Sequence, residues 1–217
     1  MKKLLLTVFI TGLLIYVSGC SSVTDIEGTW KKPATTAKKY NKIVVLGLYN
    51  NVAKRSTVEN AIVSEFRLNG INAVAGTNVL PHDLIDTDKD GKVDQKNKEI
   101  IVEKLKKEGI DGAFVFKVED VKESEQYVPG TSYYAPYSGA YPFYNYYWSS
   151  YDMVYSPGYY TKSTSVMFVS NFYNVAQEQL LWSTQSKTLN PTSLSDFAKS
   201  YSKAVVEDFI TSGIIKK

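Results

Sequence analysis

Lys42-Ile43-Val44-Val45-Leu46-Gly47-Leu48 is the stretch that decides the fold, because Ile43 to Leu46 form a short unbroken apolar run dominated by β-branched residues. Such a run marks a strand buried on both faces, the kind found inside a parallel sheet rather than at the margin of an antiparallel one. It reads as a first, central strand. Beyond Asn50-Asn51, residues Arg55 to Asn69 place Val58, Ile62 and Phe66 at four-residue steps, with Ala61 and Leu68 beside them and Gly70 where a helix would end. Ile71 to Ala75 gives a second strand. Lys98 to Glu108, with Ile101, Val102 and Leu105 on one side and Gly109 after it, gives a second helix, and Ala113 to Val121 gives a third strand. Two βαβ units in succession imply a parallel sheet with right-handed crossovers.

The second half changes pattern. Lys162 to Tyr173 and Gln179 to Thr188 are strand-like, and Asn174 to Glu178 between them has the length of a hairpin connection. Asn190-Pro191-Thr192-Ser193 carries helix-start signals, after which Leu194, Phe197, Tyr201, Val205 and Phe209 step along a third helix that stops near Gly213. The expected architecture is α/β: a mixed five-stranded sheet, βαβαβ followed by an antiparallel hairpin and a C-terminal helix, with three helices. Residues 40–217 are the size of one domain and long enough to bury a core.

Residues 1–39 read differently. Lys2 and Lys3 precede the apolar run Leu4 to Val17, and Ser18-Gly19-Cys20 closes it with small residues and the only cysteine of the chain. A charged start, a short apolar centre and small residues before a cut are the parts of a secretory signal. The segment resembles the lipobox of bacterial lipoproteins. That resemblance implies a signal peptide over 1–19, cleavage before Cys20, and acylation of Cys20 as the first mature residue; the alternative is an ordinary signal peptide or anchor with an incidental cysteine. Ser21 and Ser22 stand where an aspartate would, by the same resemblance, favour the inner membrane, so the expected address is the outer membrane, lipid-anchored, on its periplasmic face. Residues 20–39, with Gly28, Pro33, several Ser and Thr, Lys31-Lys32 and Lys38-Lys39, read as a lipidated tether.

Without Lys2 and Lys3 the 25 Lys and Arg fall by two against 22 Asp and Glu, a near-neutral balance that argues against a nucleic-acid partner. Twelve of the 17 tyrosines lie between Tyr127 and Tyr160, amid Pro129, Pro136, Pro142 and Pro157, so 126–161 reads as a long tyrosine-rich loop. Tyrosine supplies broad amphipathic contact area suited to protein or glycan surfaces, which nominates Tyr144, Tyr146, Tyr147 and Trp148 as partner-binding residues. The plainer reading is a low-complexity insertion folded over its own sheet edge. No Lys or Arg falls in 126–161 to follow phosphates.

Asp86-Thr87-Asp88-Lys89-Asp90-Gly91-Lys92-Val93-Asp94 resembles the calcium loop of EF-hands, with carboxylates at alternate positions and glycine at the sixth. Ca²⁺ takes six to eight oxygens, and alternate residues of a tight turn can converge on one ion. Asp86, Asp88, Asp90 and Asp94 would give side-chain oxygens and Lys92 its carbonyl. The twelfth position, which needs a bidentate carboxylate, is Asn97, so the competing reading is a solvated Asp/Lys turn. No cofactor is required.

Catalysis is not expected. His82 is the single histidine and has no cysteine partner, and no Gly-x-Ser-x-Gly elbow or Gly-x-x-x-x-Gly-Lys loop occurs. Gly109-Ile110-Asp111-Gly112-Ala113-Phe114-Val115, Gln126-Tyr127-Val128-Pro129-Gly130 with the tyrosines that follow, and Asn171-Phe172-Tyr173-Asn174 leading to Leu180-Leu181-Trp182-Ser183 resemble a family of bacterial envelope lipoproteins with a Tyr-rich loop and no assigned activity. More distantly, the strand order is similar to the N-terminal domain of the periplasmic TolB protein and to lipoproteins of secretion assemblies. The resemblance implies a membrane-anchored, protein-binding or envelope-assembly module with an envelope protein as partner; the alternative is a glycan- or small-ligand-binding lipoprotein with a calcium-ordered loop.

Overall fold

The computed structural model describes residues 23–49, 51–80, 95–128 and 159–216. Ile43–Leu48 is a strand (β2) in parallel register with Ala73–Ala75 (β3) on one side and Gly112–Val128 (β4) on the other. Ile43 and Val45 enter the core on one face and Val44 the core on the other, as the apolar run implies. Tyr159–Asn174 (β5) pairs antiparallel with β4, and Gln179–Leu189 (β6) antiparallel with β5.

The sheet has six strands, not five. Val23–Lys31 (β1) pairs antiparallel with β6 from Val23↔Leu189 to Lys31↔Trp182, giving the order β1-β6-β5-β4-β2-β3. The tether reading of 20–39 therefore fails over this stretch. Its inward contacts are hydroxyls rather than apolar groups: Thr24 Oγ1 lies 2.7 Å from Thr188 Oγ1 and Thr29 Oγ1 2.9 Å from Thr184 Oγ1. Lys31 Nζ donates to the Ser212 carbonyl at 2.7 Å. A strand held by cross-strand threonine pairs leaves no apolar period to read.

Four helices are present among the described residues. Val52–Leu68 (α1) is capped by Asn51, whose side chain accepts from the Lys54 N–H, and ends where Gly70 takes φ +76 and the Ile71 N–H reaches back to the Phe66 carbonyl. Gly76–Val79 (α2) is a single turn with no periodic signal of its own. Gln95–Lys107 (α3) and Leu194–Thr211 (α4) follow. Ser193 caps α4 by accepting from the Asp196 N–H, while Asp196 accepts from Thr192.

Two cores flank the sheet. On one face α1 and α4 cover an aromatic cluster in which Phe114 meets Phe66 at 5.5 Å and Trp182 at 5.7 Å, and Phe209 meets Phe172 at 4.7 Å between ring centres. On the other, Leu105 of α3 joins Val44, Val79, Leu80, Ile110 and Ala113. The chain thus leaves β2 toward β3 over one face and returns to β4 over the other. That makes the β2/β4 boundary the point where winding reverses, and in open α/β sheets ligands bind outside the carboxyl ends of the strands at such a point.

Candidate functional site: a projecting hairpin arm and the cleft at its base

The pairing of β4 with β2 stops at Leu48↔Lys117, and the pairing of β5 with β6 stops at Ser165↔Leu189, yet β4 and β5 stay paired out to Val128↔Tyr159. Beyond those stops the sheet continues as a two-stranded arm. From Glu123↔Thr164 to Val128↔Tyr159 six pairs have no third strand, a projection of about 20 Å at roughly 3.3 Å per residue. A register shift between Val118 and Asp120 lies at its root, where the added twist of a bulge re-aims a strand.

The arm corrects the loop reading of 126–161 at both ends: Gln126–Val128 and Tyr159–Thr161 are strand. The sequence hid this because Lys122-Glu123-Ser124-Glu125-Gln126 has no apolar alternation. Its side chains meet solvent on both faces, and only backbone pairing with β5 makes it extended. Tyr159 and Tyr160 are 61% and 68% exposed and Val121 is 54% exposed. Charged residues at the arm's root and along it find partners: Glu119 accepts from Gln185 Nε2 at 2.7 Å, Asp120 pairs with Lys122 at 3.3 Å, and Glu125 pairs with Lys162 at 2.7 Å. These carboxylates lie along the sheet margin, each beside a partner.

At the base of the arm, on the face covered by α1 and α4, a cleft of about 460 Å³ opens between the N-terminal ends of the two helices. Val58, Phe116, Val118, Val166 and Phe168 make it apolar, while Tyr49, Lys54 and Leu194 are among its other lining residues. One wall is Arg55, which is 3% exposed. Its Nε donates to Glu59 Oε1 at 2.8 Å; the same oxygen accepts the Gly47 N–H at 2.9 Å, and Glu59 Oε2 accepts the Thr77 N–H at 2.7 Å. Glu59 is fully buried. Its carboxylate is thereby satisfied by a cation and two backbone amides from β2 and α2. Arg55 Nη2 is not satisfied: it is buried and has no hydrogen-bond partner.

Sequence reasoning passed over this pair, although a signal was available. Arg55 and Glu59 lie on the same helical stripe as Ile62 and Phe66, so two charges occupy the core-facing side of α1. Charges in that position are paired or functional.

The residues singled out from the sequence fall elsewhere. Cys20, the Asp86, Asp88, Asp90, Lys92 and Asp94 set, His82, and Tyr144, Tyr146, Tyr147 and Trp148 all lie outside the described residues. Among the described residues no group of three or more His, Cys, Asp and Glu is placed to hold a metal ion. Also among them, no helix is long and apolar enough to cross a membrane.

No family model and no curated protein matches the chain. Among solved structures it is similar to the PelC dodecamer from Paraburkholderia phytofirmans, at 11% identity and a TM-score of 0.46, covering 90% of this chain and 100% of that one. It is also similar to the lipoprotein GNA1162 from Neisseria meningitidis, at 13% identity and a TM-score of 0.38, covering 78% of this chain and 98% of that one.

Proposed function

We propose that this chain is a lipid-anchored, non-catalytic binding module of the bacterial envelope that holds a protein partner through the β4–β5 arm and the tyrosine-rich segment the arm carries. The observation that carries this reading is the continuation of β4 and β5 past every neighbour to Val128↔Tyr159. A two-stranded ribbon is marginal in water by itself and gains stability from a third strand or a packed face. The arm offers two open strand edges and exposed Val121, Tyr159 and Tyr160, which suits strand addition by an extended partner segment with aromatic contacts alongside.

The proposed anchor, Cys20, supports a partner at the membrane. Val23 stands opposite Leu189, Leu189 opposite Ser165, and Ser165 opposite Lys122. Cys20 precedes Val23 by three residues. The chain therefore enters the sheet at the end from which the arm departs. Acyl chains on Cys20 would hold it in the bilayer, the outer membrane on the reading of Ser21 and Ser22, with the domain on the periplasmic side.

Photo-crosslinking from position 160 in intact cells tests the reading. One dominant captured protein, lost when the neighbouring Tyr159 is also changed to Asp, is the expected result. Capture of glycan alone, or of nothing, would overturn it.

A further inference from the structure

We propose that the cleft between the N-terminal ends of α1 and α4 binds a small carboxylate with an apolar body, a small rotation of the buried Arg55 side chain letting its partnerless Nη2 donate to the carboxylate. This goes beyond the arm and does not depend on it.

Three observations converge. First, a guanidinium N–H buried without a partner is costly, more so than a neutral donor. Arg55 bears that cost while its Nε and the whole of Glu59 are satisfied, so the missing partner is an acceptor, and Glu59 has no oxygen left idle to serve. Second, the electrostatics favour an anion. The N-terminal turn of α1, after Asn51, reaches the cleft, carries no acidic residue and contributes Lys54 to the lining, whereas the first turn of α4 carries Asp196, which accepts from Thr192; the helix dipole makes the α1 end attractive to negative charge. Third, the remaining wall is hydrocarbon and aromatic: Val58, Phe116, Val118, Val166 and Phe168. A volume of about 460 Å³ is in the range that holds a small organic molecule. An apolar body alone would leave the arginine unmet, an amine would be repelled by it, and a bare inorganic anion would leave the apolar wall empty.

A carboxylate meeting a guanidinium makes a charge-assisted hydrogen bond, of the stronger kind. Removing that interaction should weaken binding by roughly ten-fold or more.

The test is calorimetric titration of the full chain carrying Cys20→Ser, so that no acyl group of its own competes, with sodium octanoate and with 1-octanol. Saturable octanoate binding at least about ten-fold tighter than octanol is expected. Arg55→Met should bring octanoate to the octanol level and leave octanol unchanged. Because that change strips Glu59 of its cation and can unfold the chain, Leu194→Trp provides a second variant. It narrows the cleft without touching the buried polar cluster and should weaken both probes. Equal affinity for the two probes, no saturable binding of either, or octanoate binding unchanged in Leu194→Trp would each overturn the proposal.

Discussion

Tyr201→Phe should weaken the fold at neutral pH and lose that disadvantage in alkali. Tyr201 is fully buried in α4, its hydroxyl 2.7 Å from Ser170 Oγ of β5, itself fully buried. Its ring packs 5.3 Å from Phe197 and 4.9 Å from Phe168. Phenylalanine keeps that packing and removes only the hydroxyl. The lost hydrogen bond, together with a buried Ser170 deprived of this partner, costs about 1.5 kcal/mol. Burial pushes the Tyr201 phenol well above its ordinary value of 10.0, with the Ser170 hydrogen bond pulling in the opposite direction. The folded state thus holds the proton more tightly than the unfolded state. Stability is fully present below pH 10 and declines as pH rises above it, because the unfolded tyrosine ionises while the folded one does not. By pH 11, one unit above the ordinary value, the loss is on the order of 1 kcal/mol. Burial raises Tyr40 as well, but Tyr40 and the remaining tyrosines are common to both proteins and cancel in the difference. Urea unfolding followed by tryptophan fluorescence at pH 8, 10 and 11 should show the deficit of Tyr201→Phe fall from about 1.5 kcal/mol toward zero. A deficit equal at pH 8 and pH 11 would refute the reasoning.

Glu59→Ala leaves Arg55 as an uncompensated buried charge and should cost about 3–5 kcal/mol in urea unfolding, while Arg55→Met with Glu59→Leu should recover only part of it, because the Gly47 and Thr77 amides still lack their acceptor. Gly76→Ala places a Cβ 2.8 Å from the Val45 carbonyl oxygen and into Leu46 Cδ2; the backbone oxygen cannot yield, so a loss above about 2 kcal/mol is expected. Gly28→Ala, with nothing within 4 Å, should stay within about 0.5 kcal/mol of the parent. For the Asp86-to-Asp94 segment, Asp88→Ala should abolish any Ca²⁺-dependent rise in melting temperature; a calorimetric titration of the intact chain without heat would end the calcium reading in favour of a solvated turn.

What could be read from the sequence follows from where the apolar residues are. β2 is buried on both faces, so its side chains are a continuous run, and α1 and α4 bury stripes whose period survives in the residues. β1 offered no such pattern because Thr24 and Thr29 bind hydroxyls across the strand pair, and short-range polarity cannot distinguish a threonine ladder from a tether. The outer part of β4 failed for a related reason: its strand character comes from β5, not from a buried face. The buried Arg55–Glu59 pair was visible as two charges on a core stripe. Its open nitrogen was not, since that depends on Gly47 and Thr77 amides brought from other elements.

The arm and the cleft have one geometric origin. β2 ends at Leu48 and β6 at Leu189, while β4 and β5 run on past both. α1 begins at Val52 and α4 at Leu194, each soon after one of those ends, so neither helix extends over the strip of β4 and β5 that follows. Val118, Val121 and Val166 at the root of the arm therefore form part of the cleft wall. A ligand held there touches the arm directly; to the extent that it orders the arm, linkage requires that whatever else orders the arm bind more tightly to the liganded chain by the same factor. Backbone amides of Val121 to Gln126, exposed residues that pair with one strand only, are the place where this would register. Saturation with octanoate should slow their hydrogen exchange; exchange that does not change on saturation would mean that the two sites share a wall but no energy.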